Sequence, residues 1–474
     1  MKARYVIPIF FVLGTAFVSA QVVRPDTGAQ VVRPDTGGDD NLVERILTQA
    51  VEYLAVSKYD EAIALFDTIP QPQRDTSGLR LLRASILSSA GKFAEARGIV
   101  EAVLAVESGN IDALLMLATI ESVTGRRTQQ QRALERIIAI EPDNAEALVS
   151  LGNISLQTRA YRQAATYFYR VLTGDGRNPD ALLGLARAFR MNTEWDDAEI
   201  LLDRLVSLYP DMVDARSDRA RFYWGRERYR EALEEFNAAV KLRPDDYWLA
   251  VDRADLLFEM ERKPEALAEF SRAIAINPNH YYPYIYTSGL KDDLGDHEGA
   301  ERDYAILARL KPDYFFAFEG LGLHKMRKGE WAEARNAFTE AYRQAPNEYY
   351  FALLTAISWM KMGDVTAPRT FLNQALNRVT RNTLEWYMFR LYYDMTSRNY
   401  QSEYEVLSRL DREQDETLKA RMMFYMAWYF ELRGNTNSAN RYFRMVYEMD
   451  KKAIPEWRLN EWILIDRGMH PLIF

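Results

Sequence analysis

Apolar positions recur along this chain with the period of a helix, and the helices themselves recur with a longer period. In YREALEEFNAAVKLRPDDYW, residues 229 to 248, Ala232 and Phe236 lie four apart on one helical face. Pro244 ends that helix because it has no amide proton to continue the hydrogen-bond ladder, and two large aromatics, Tyr247 and Trp248, open the next segment. The same order of events returns every 34 residues. Ala50, Ala84, Ala118, Gly152, Ala186, Ala220, Ala254, Ser288, Gly322 and Ala356 are ten small-residue anchors in unbroken phase. Twelve residues after most anchors comes an alanine: Ala62, Ala96, Ala164, Ala198, Ala232, Ala266, Ala300 and Ala334. Four residues beyond it stands a large apolar group, among them Phe66, Phe168, Phe236, Phe270, Tyr304 and Phe338. Pro142, Pro210, Pro244, Pro278, Pro312 and Pro346 keep the same time.

The pattern predicts pairs of amphipathic helices in which small residues let backbones approach and an aromatic fills the gap beside them. One pair cannot bury its own face, so the pairs stack. On these small-residue, Ala-x3-Phe and proline positions the chain resembles the tetratricopeptide repeat family. The resemblance implies an all-α fold, a right-handed α-solenoid of stacked helix–turn–helix repeats. Ten phased units are expected over residues 43–382 and two looser ones over 383–450, where Ala427, Ala439 and Phe443 mark a copy. A C-terminal helix within 451–474 is expected to cap the last face. Gln130 and Pro368 replace the second alanine in two units, and GDGRNP at 174–179 shifts a proline by three residues. These departures bear on helix ends rather than on the fold.

The chain ends carry different signals. Lys2 and Arg4 precede an apolar run from Tyr5 to about Val18, and Val18-Ser19-Ala20 is a small-residue cleavage site, so residues 1–20 read as a signal peptide cleaved after Ala20. QVVRPDTGA and QVVRPDTGG follow as a near-perfect tandem copy, and residues 21–42 are expected to be a flexible tether. There is no cysteine, which excludes disulfides, a thiolate zinc site and a thiol nucleophile. A leader without cysteines points to a bacterial periplasmic or secreted protein. No later stretch approaches 18 uninterrupted apolar residues, so no integral membrane span is expected. Without Lys2 and Arg4 the chain has 58 basic against 68 acidic residues, an acidic balance that argues against nucleic acid as a partner.

Catalytic motifs are absent from the sequence. His280, His297, His324 and His470 show no HExxH or paired spacing and read as surface or turn residues. There is no glycine-rich phosphate loop and no GxSxG elbow, and the carboxylates fall on helix surfaces and first turns. The expectation is a non-enzyme with no metal and no cofactor.

With each anchor numbered as position eight of its unit, positions 2, 5, 9 and 12 of the first helix share one face, turned away from packing positions 4, 7, 8 and 11. By the family resemblance that face lines a concave groove for extended peptides. Position 2 is Glu44, Gly78, Asp112, Glu146, Asp180 and Asp214 in the first six units, and Trp248, Tyr282, Phe316 and Tyr350 in the next four. The helix dipole alone accounts for acidic residues there, and is the reading favoured for them. Position 1 of the last four units is also aromatic, Tyr247, Tyr281, Phe315 and Tyr349, and lies between faces, where packing accounts for it. Arg187, Arg190 and Arg221 gather in the fifth and sixth units with Trp224 beside them. Arg187 and Arg221 match a position the family uses to grip a terminal carboxylate, but the accompanying Lys and most of the Asn are missing. Further on, Asp255, Asp292 and Glu319 make the face acidic.

The candidate partner-binding residues are therefore Trp248, Tyr282, Phe316, Tyr350, Arg187, Arg190, Arg221, Trp224 and Asp255. They suit an extended segment with apolar side chains and some positive charge. The function expected is a non-catalytic interaction scaffold holding envelope or secreted proteins. Two alternatives stand beside it. One is a periplasmic carrier or receptor whose aromatic trough binds a small apolar or carbohydrate ligand. The other is an array that self-associates through Trp386, Tyr387, Tyr392, Tyr393 and Trp428 near its C-terminal end.

Overall fold

The computed structural model describes residues 39–71, 73–395 and 401–469. The leader at 1–20, the tandem copies through residue 38, and His470 lie outside the described residues. Among the described residues there are 25 α-helices and no strand. The chain divides into two compact units, Met1–Arg228 and Tyr229–Phe474, each of them built from antiparallel helix pairs.

Unit one opens with α1 (Asp39–Ala55), which begins inside the stretch expected to be a tether, and α2 (Tyr59–Phe66). A short 3-10 turn at Gln73–Asp75 leads to α3 (Ser77–Ser89) and α4 (Phe93–Val106). Then come α5 (Ile111–Val123), α6 (Arg127–Ile140), α7 (Ala145–Gln157) and α8 (Tyr161–Gly174). The unit closes with α9 (Pro179–Met191), α10 (Trp195–Leu208) and α11 (Val213–Gly225).

Unit two starts with α12 (Tyr229–Leu242), α13 (Tyr247–Glu259), α14 (Lys263–Ile276) and α15 (Tyr282–Asp293). It continues through α16 (His297–Leu310), α17 (Phe315–Arg327), α18 (Trp331–Gln344), α19 (Tyr350–Lys361) and α20 (Ala367–Leu376). The last helices are α21 (Leu384–Tyr393), α22 (Gln401–Leu410), α23 (Glu416–Leu432), α24 (Thr436–Glu448) and α25 (Pro455–Asp466).

The second helices of successive pairs start at Tyr59, Phe93, Arg127, Tyr161, Trp195, Tyr229, Lys263, His297 and Trp331, nine starts in unbroken 34-residue phase. Their alanines and aromatics are core: Ala62, Ala164, Ala232, Ala266 and Ala334 are buried, and so are Phe66, Phe168, Phe236, Phe270 and Phe338. The anchors are small because those rings fill the space beside them. A Cβ on Gly152 would sit 2.6 Å from the Phe168 ring, and one on Gly322 would sit 2.5 Å from the Phe338 ring. Four of the pairs are also tied to the loop that leads into them. Arg136 and Arg204 donate to the carbonyls of Ser108 and Gly176, at 2.7 and 2.8 Å, and Arg170 and Arg272 donate to those of Pro142 and Pro244.

The helix ends follow local rules. Asn110, Asn144 and Asn178 cap α5, α7 and α9 by accepting from Ala113, Ala147 and Ala181 at 2.9–3.0 Å. The shifted proline of GDGRNP is thereby accommodated: Pro179 stands in the first turn of α9, where its missing N–H would have had no partner. Pro368 likewise stands in the first turn of α20, so that helix starts late and runs only 10 residues. Gln130 leaves α6 unbroken over 14 residues.

The turns inside the pairs keep a phase of their own. Ser57, Gly91, Gly125, Arg159, Thr193, Glu227, Glu261, Gly295, Gly329 and Gly363 all have positive φ at 34-residue intervals. At Thr193, with φ of 64°, the Glu194 N–H donates to the Phe189 carbonyl at 2.9 Å and the Thr193 N–H to the Arg190 carbonyl at 3.2 Å. A β-branched residue is strained in this conformation. Thr193→Gly is expected to raise the stability of unit one by about 1 kcal/mol, after the extra unfolded-state entropy of glycine is set against the relieved strain. Thermal unfolding checks this; an unchanged or lower midpoint would mean that Thr193 is not strained.

In unit two the C-terminal helices pack back onto earlier ones. Along α23, Ala420 and every residue from Met422 to Tyr429 are buried. The Tyr425 hydroxyl reaches the Tyr350 carbonyl at 3.4 Å and the Glu456 carboxylate at 2.9 Å. Tyr392 and Trp428, two of the residues read as a self-association surface, are instead part of this core. No helix among the described residues is long and apolar enough to cross a membrane.

Candidate functional site

In unit one, α9 carries Arg187 and Arg190 while α11 carries Arg221 and Trp224. What gathers the arginines is a residue the sequence reading passed over. Asp218, only 3% exposed, accepts from Arg187 Nε at 2.7 Å and also from its Nη2. Arg221 Nη1 stands 3.8 Å from the other oxygen of the same carboxylate. Burial depresses the basicity of Arg190; the Asp218 charge opposes that, and the positive Arg221 and Arg187 reinforce it. The four charged groups therefore form one network, and the Arg187 fork, read as part of the partner-binding face, already holds Asp218. A hint was present in the sequence, since Asp218 stands three residues before Arg221 on one helix.

Row geometry is visible one stage earlier. The Glu146 carboxyl is raised above its ordinary value, by burial first and then by the negative charge of Asp112. Both are position-2 residues of successive pairs, so the charges of this face act on one another from pair to pair.

In unit two the aromatic row divides. Asp246 caps α13 by accepting from the Trp248 and Leu249 amides at 2.9 and 3.2 Å, which places Trp248 in the first turn with 58% of its surface exposed. Tyr247 turns inward; its hydroxyl lies 2.7 Å from His280 Nδ1, and its ring packs at 5.0 Å against Trp248. Burial pushes the Tyr247 phenol up to about 12, with Asp255 next in effect. Tyr282 is half-buried and donates to both oxygens of Asp255 at 3.1 and 3.2 Å. Burial lifts the Asp255 carboxyl to about 6; the Tyr282 bond works against this and Asp252 adds to it. Phe316 is 49% exposed and lies stacked on Phe315 at 4.0 Å.

Tyr350 does not belong with these. It is only 5% exposed, with its hydroxyl on Glu319 at 3.2 Å and the Arg421 guanidinium 4.8 Å over its ring. The cover comes from α23 and α25, the helix of the looser copy marked by Ala427 and the helix expected to cap the last face. Glu319 and Asp292, expected to line an open acidic face, are buried for the same reason. His324, expected at the surface, is 2% exposed and sits 3.0 Å from Asp292, with His297 at 3.1 Å from the same oxygen. The open part of the row thus consists of Trp248, the Tyr282–Asp255 pair and Phe316. Among the described residues no group of three or more histidine or acidic side chains is arranged to hold a metal ion.

Tetratricopeptide repeat models match residues 155–221 and 223–286, and again 115–179, 290–349 and 319–379. The chain belongs to the tetratricopeptide repeat family. Repeats of this family are typically non-catalytic scaffolds for protein–protein interaction. Among solved structures, PilF of Pseudomonas aeruginosa is 18% identical, over 43% of this chain and 92% of that one, with a TM-score of 0.38. A tetratricopeptide repeat protein from Parabacteroides merdae is 19% identical, over 60% of this chain and 99% of that one, with a TM-score of 0.36. YrrB, described as having an unusual peptide-binding site, is 19% identical, over 38% and 93%, with a TM-score of 0.35. No curated protein matches the chain.

Proposed function

We propose that this chain is an exported, non-catalytic scaffold of the bacterial cell envelope. It holds an extended segment of an envelope or secreted protein against the first-helix face of unit two. The observation that carries this reading is the pair of exposed aromatics at the same register position of separate repeats, Trp248 and Phe316, with Tyr282 and Asp255 between them. An exposed aromatic row is an interaction patch, because leaving its rings in water forgoes about 25 cal/mol for each Å² they could bury. The Asp255 carboxylate favours a positive side chain in the bound segment. Export rests on the N-terminal leader, and the bacterial assignment on the absence of cysteine from a chain with such a leader.

The test is capture from envelope extract with the wild-type chain and with Trp248→Ala plus Phe316→Ala. Both side chains are substantially exposed, so the variant should fold with little loss of stability. The expected result is at least a tenfold drop in the specifically retained proteins. An unchanged set of retained proteins would remove this face from the function.

A further inference from the structure

One repeat departs from the pattern at a position that is otherwise strict. The alanine twelve residues after the anchor is fully buried in the eight units that carry it, from Ala62 to Ala334. In the third unit that position is Gln130, which is only half-buried. A carboxamide enclosed among apolar neighbours would lack hydrogen-bond partners. Gln130 instead lines a cavity of about 360 Å³ bounded by α5, α6 and α7, all of them within unit one.

Among the described residues the wall of this cavity is polar and carries no carboxylate. Arg127 contributes a guanidinium, Gln130, Asn153 and Gln157 three carboxamides, and Ser122 and Ser150 two hydroxyls, with Ile154 the one apolar side chain. Arg127 Nη2 donates to Gln157 Oε1 at 3.3 Å, from α6 to α7. Glu121, next to Ser122 in the chain, is buried with Arg97 and Arg126 at 3.7 and 3.8 Å. The side chains of Ser122, Gln130, Ser150 and Asn153 make no hydrogen bond among the described residues. Neighbouring hydroxyls behave otherwise. Those of Thr119, Thr124, Ser155 and Thr158 donate to carbonyls of their own helices at 2.8–3.0 Å. Four polar groups around one space thus keep their hydrogen-bonding capacity for something outside the chain. Ser122 and Asn153 are positions 12 and 9 of their units, so the cavity reaches the first-helix face.

We propose that this cavity is a second binding site, which takes a carboxylate flanked by peptide amides. The carboxylate belongs either to an acidic side chain within an extended segment or to the end of that segment. A guanidinium pairs with a carboxylate through charge-assisted hydrogen bonds, and no acid in the wall repels it. Each carboxamide both donates and accepts, which matches a main-chain amide on either side of the charge. The volume is at the low end for small-ligand sites, room for a side chain and its peptide unit. The charge preference is opposite to that of Asp255 in unit two, and the site does not rest on the aromatic row.

The test is fluorescence anisotropy with the full chain and three pentapeptides carrying the same N-terminal dye. One is Gly-Gly-Glu-Gly-Gly amide, the second has Gln in place of Glu, and the third is pentaglycine with a free C-terminal carboxylate. At least one of the two acidic peptides is expected to bind about tenfold or more tighter than the Gln peptide. The tighter of the two identifies the source of the carboxylate. Arg127→Gln, at an exposed position, should abolish that preference. Gln130→Ala installs the residue that eight other units hold, so it should fold, and it should weaken binding about threefold or more. Equal binding of all three peptides, or none, would overturn the proposal and leave a water-filled gap beside Gln130. A preference unchanged by Arg127→Gln, or binding unchanged by Gln130→Ala, would place the peptide outside this cavity and overturn it as well. The Trp248→Ala, Phe316→Ala variant should bind these peptides as the wild type does, so the two sites fail separately.

Discussion

Replacing Asp218 by alanine is expected to destabilise unit one by about 3 kcal/mol, read as a lower denaturant midpoint for that unit. The carboxylate is buried, and it neutralises the Arg187 fork while standing near Arg221 and the half-buried Arg190. Its removal leaves a local positive excess that water reaches only in part, since roughly a third of the Arg187 side chain is exposed. Partial exposure sets the expected loss at the low end of the range for broken buried pairs. Asp218→Asn keeps an acceptor for Arg187 but loses the charge, so it should fall between wild type and alanine. A midpoint unmoved by either change would mean that solvent satisfies the arginines without Asp218.

The second large effect is a dependence on pH in the C-terminal half of unit two. Burial lifts the Glu319 carboxyl to about 7; the nearby Glu456 and Glu348 add to this, while the Tyr350 hydroxyl and the Arg421 charge oppose it. The Glu456 carboxyl is also raised, by burial first, against the pull of Arg421 and the bond from Tyr425. A carboxyl raised in the folded state binds its proton more tightly there than in the unfolded chain, so its burial carries no ionisation penalty below pH 4.5. The penalty grows as pH rises from there to about 7 and is then constant, at roughly 3 kcal/mol for a shift of this size. The helices from α19 to α25 should therefore resist denaturant better at pH 5 than at pH 8. Glu319→Gln should flatten that difference by removing the charge while keeping a polar partner for Tyr350. A wild type and variant with identical pH profiles would show that Glu319 is not held in its neutral form.

The fold is legible because a repeat writes each contact many times. Ala232 and Phe236 would say little alone, but the same two positions recur at 34-residue intervals and are buried at almost every recurrence, Gln130 and Tyr304 being half-buried. The left-handed turns were less legible, since Arg159, Thr193, Glu227 and Glu261 hold the same backbone as Gly91 and Gly125 without the residue that signals it. The site was legible only as a row. Trp248 and Tyr350 share a register position, yet one is 58% exposed and the other 5%, because Tyr425 and Arg421 arrive from more than seventy residues downstream to cover the second. A periodic pattern describes what neighbouring repeats do to each other. It carries no trace of a helix that returns from 165 residues away to pair Arg458 with Asp293, and this is also why His324 reads as a surface residue and is buried. Asp218 was hidden differently, as one acid among many on helix surfaces, distinguished only by an arginine from the preceding pair.

The open face is tested most directly by photo-crosslinking in the native cell, with a benzophenone amino acid placed at Phe316 and, in a separate chain, at Ile200. Ile200 is 65% exposed on α10, a second helix, and so samples a surface outside the row. The expected result is that the Phe316 probe joins a short segment, shared in apolar and positive character, from a small set of exported proteins, and that the Ile200 probe does not. The same adducts from both positions, or none from Phe316, would contradict a partner-binding role for the aromatic face.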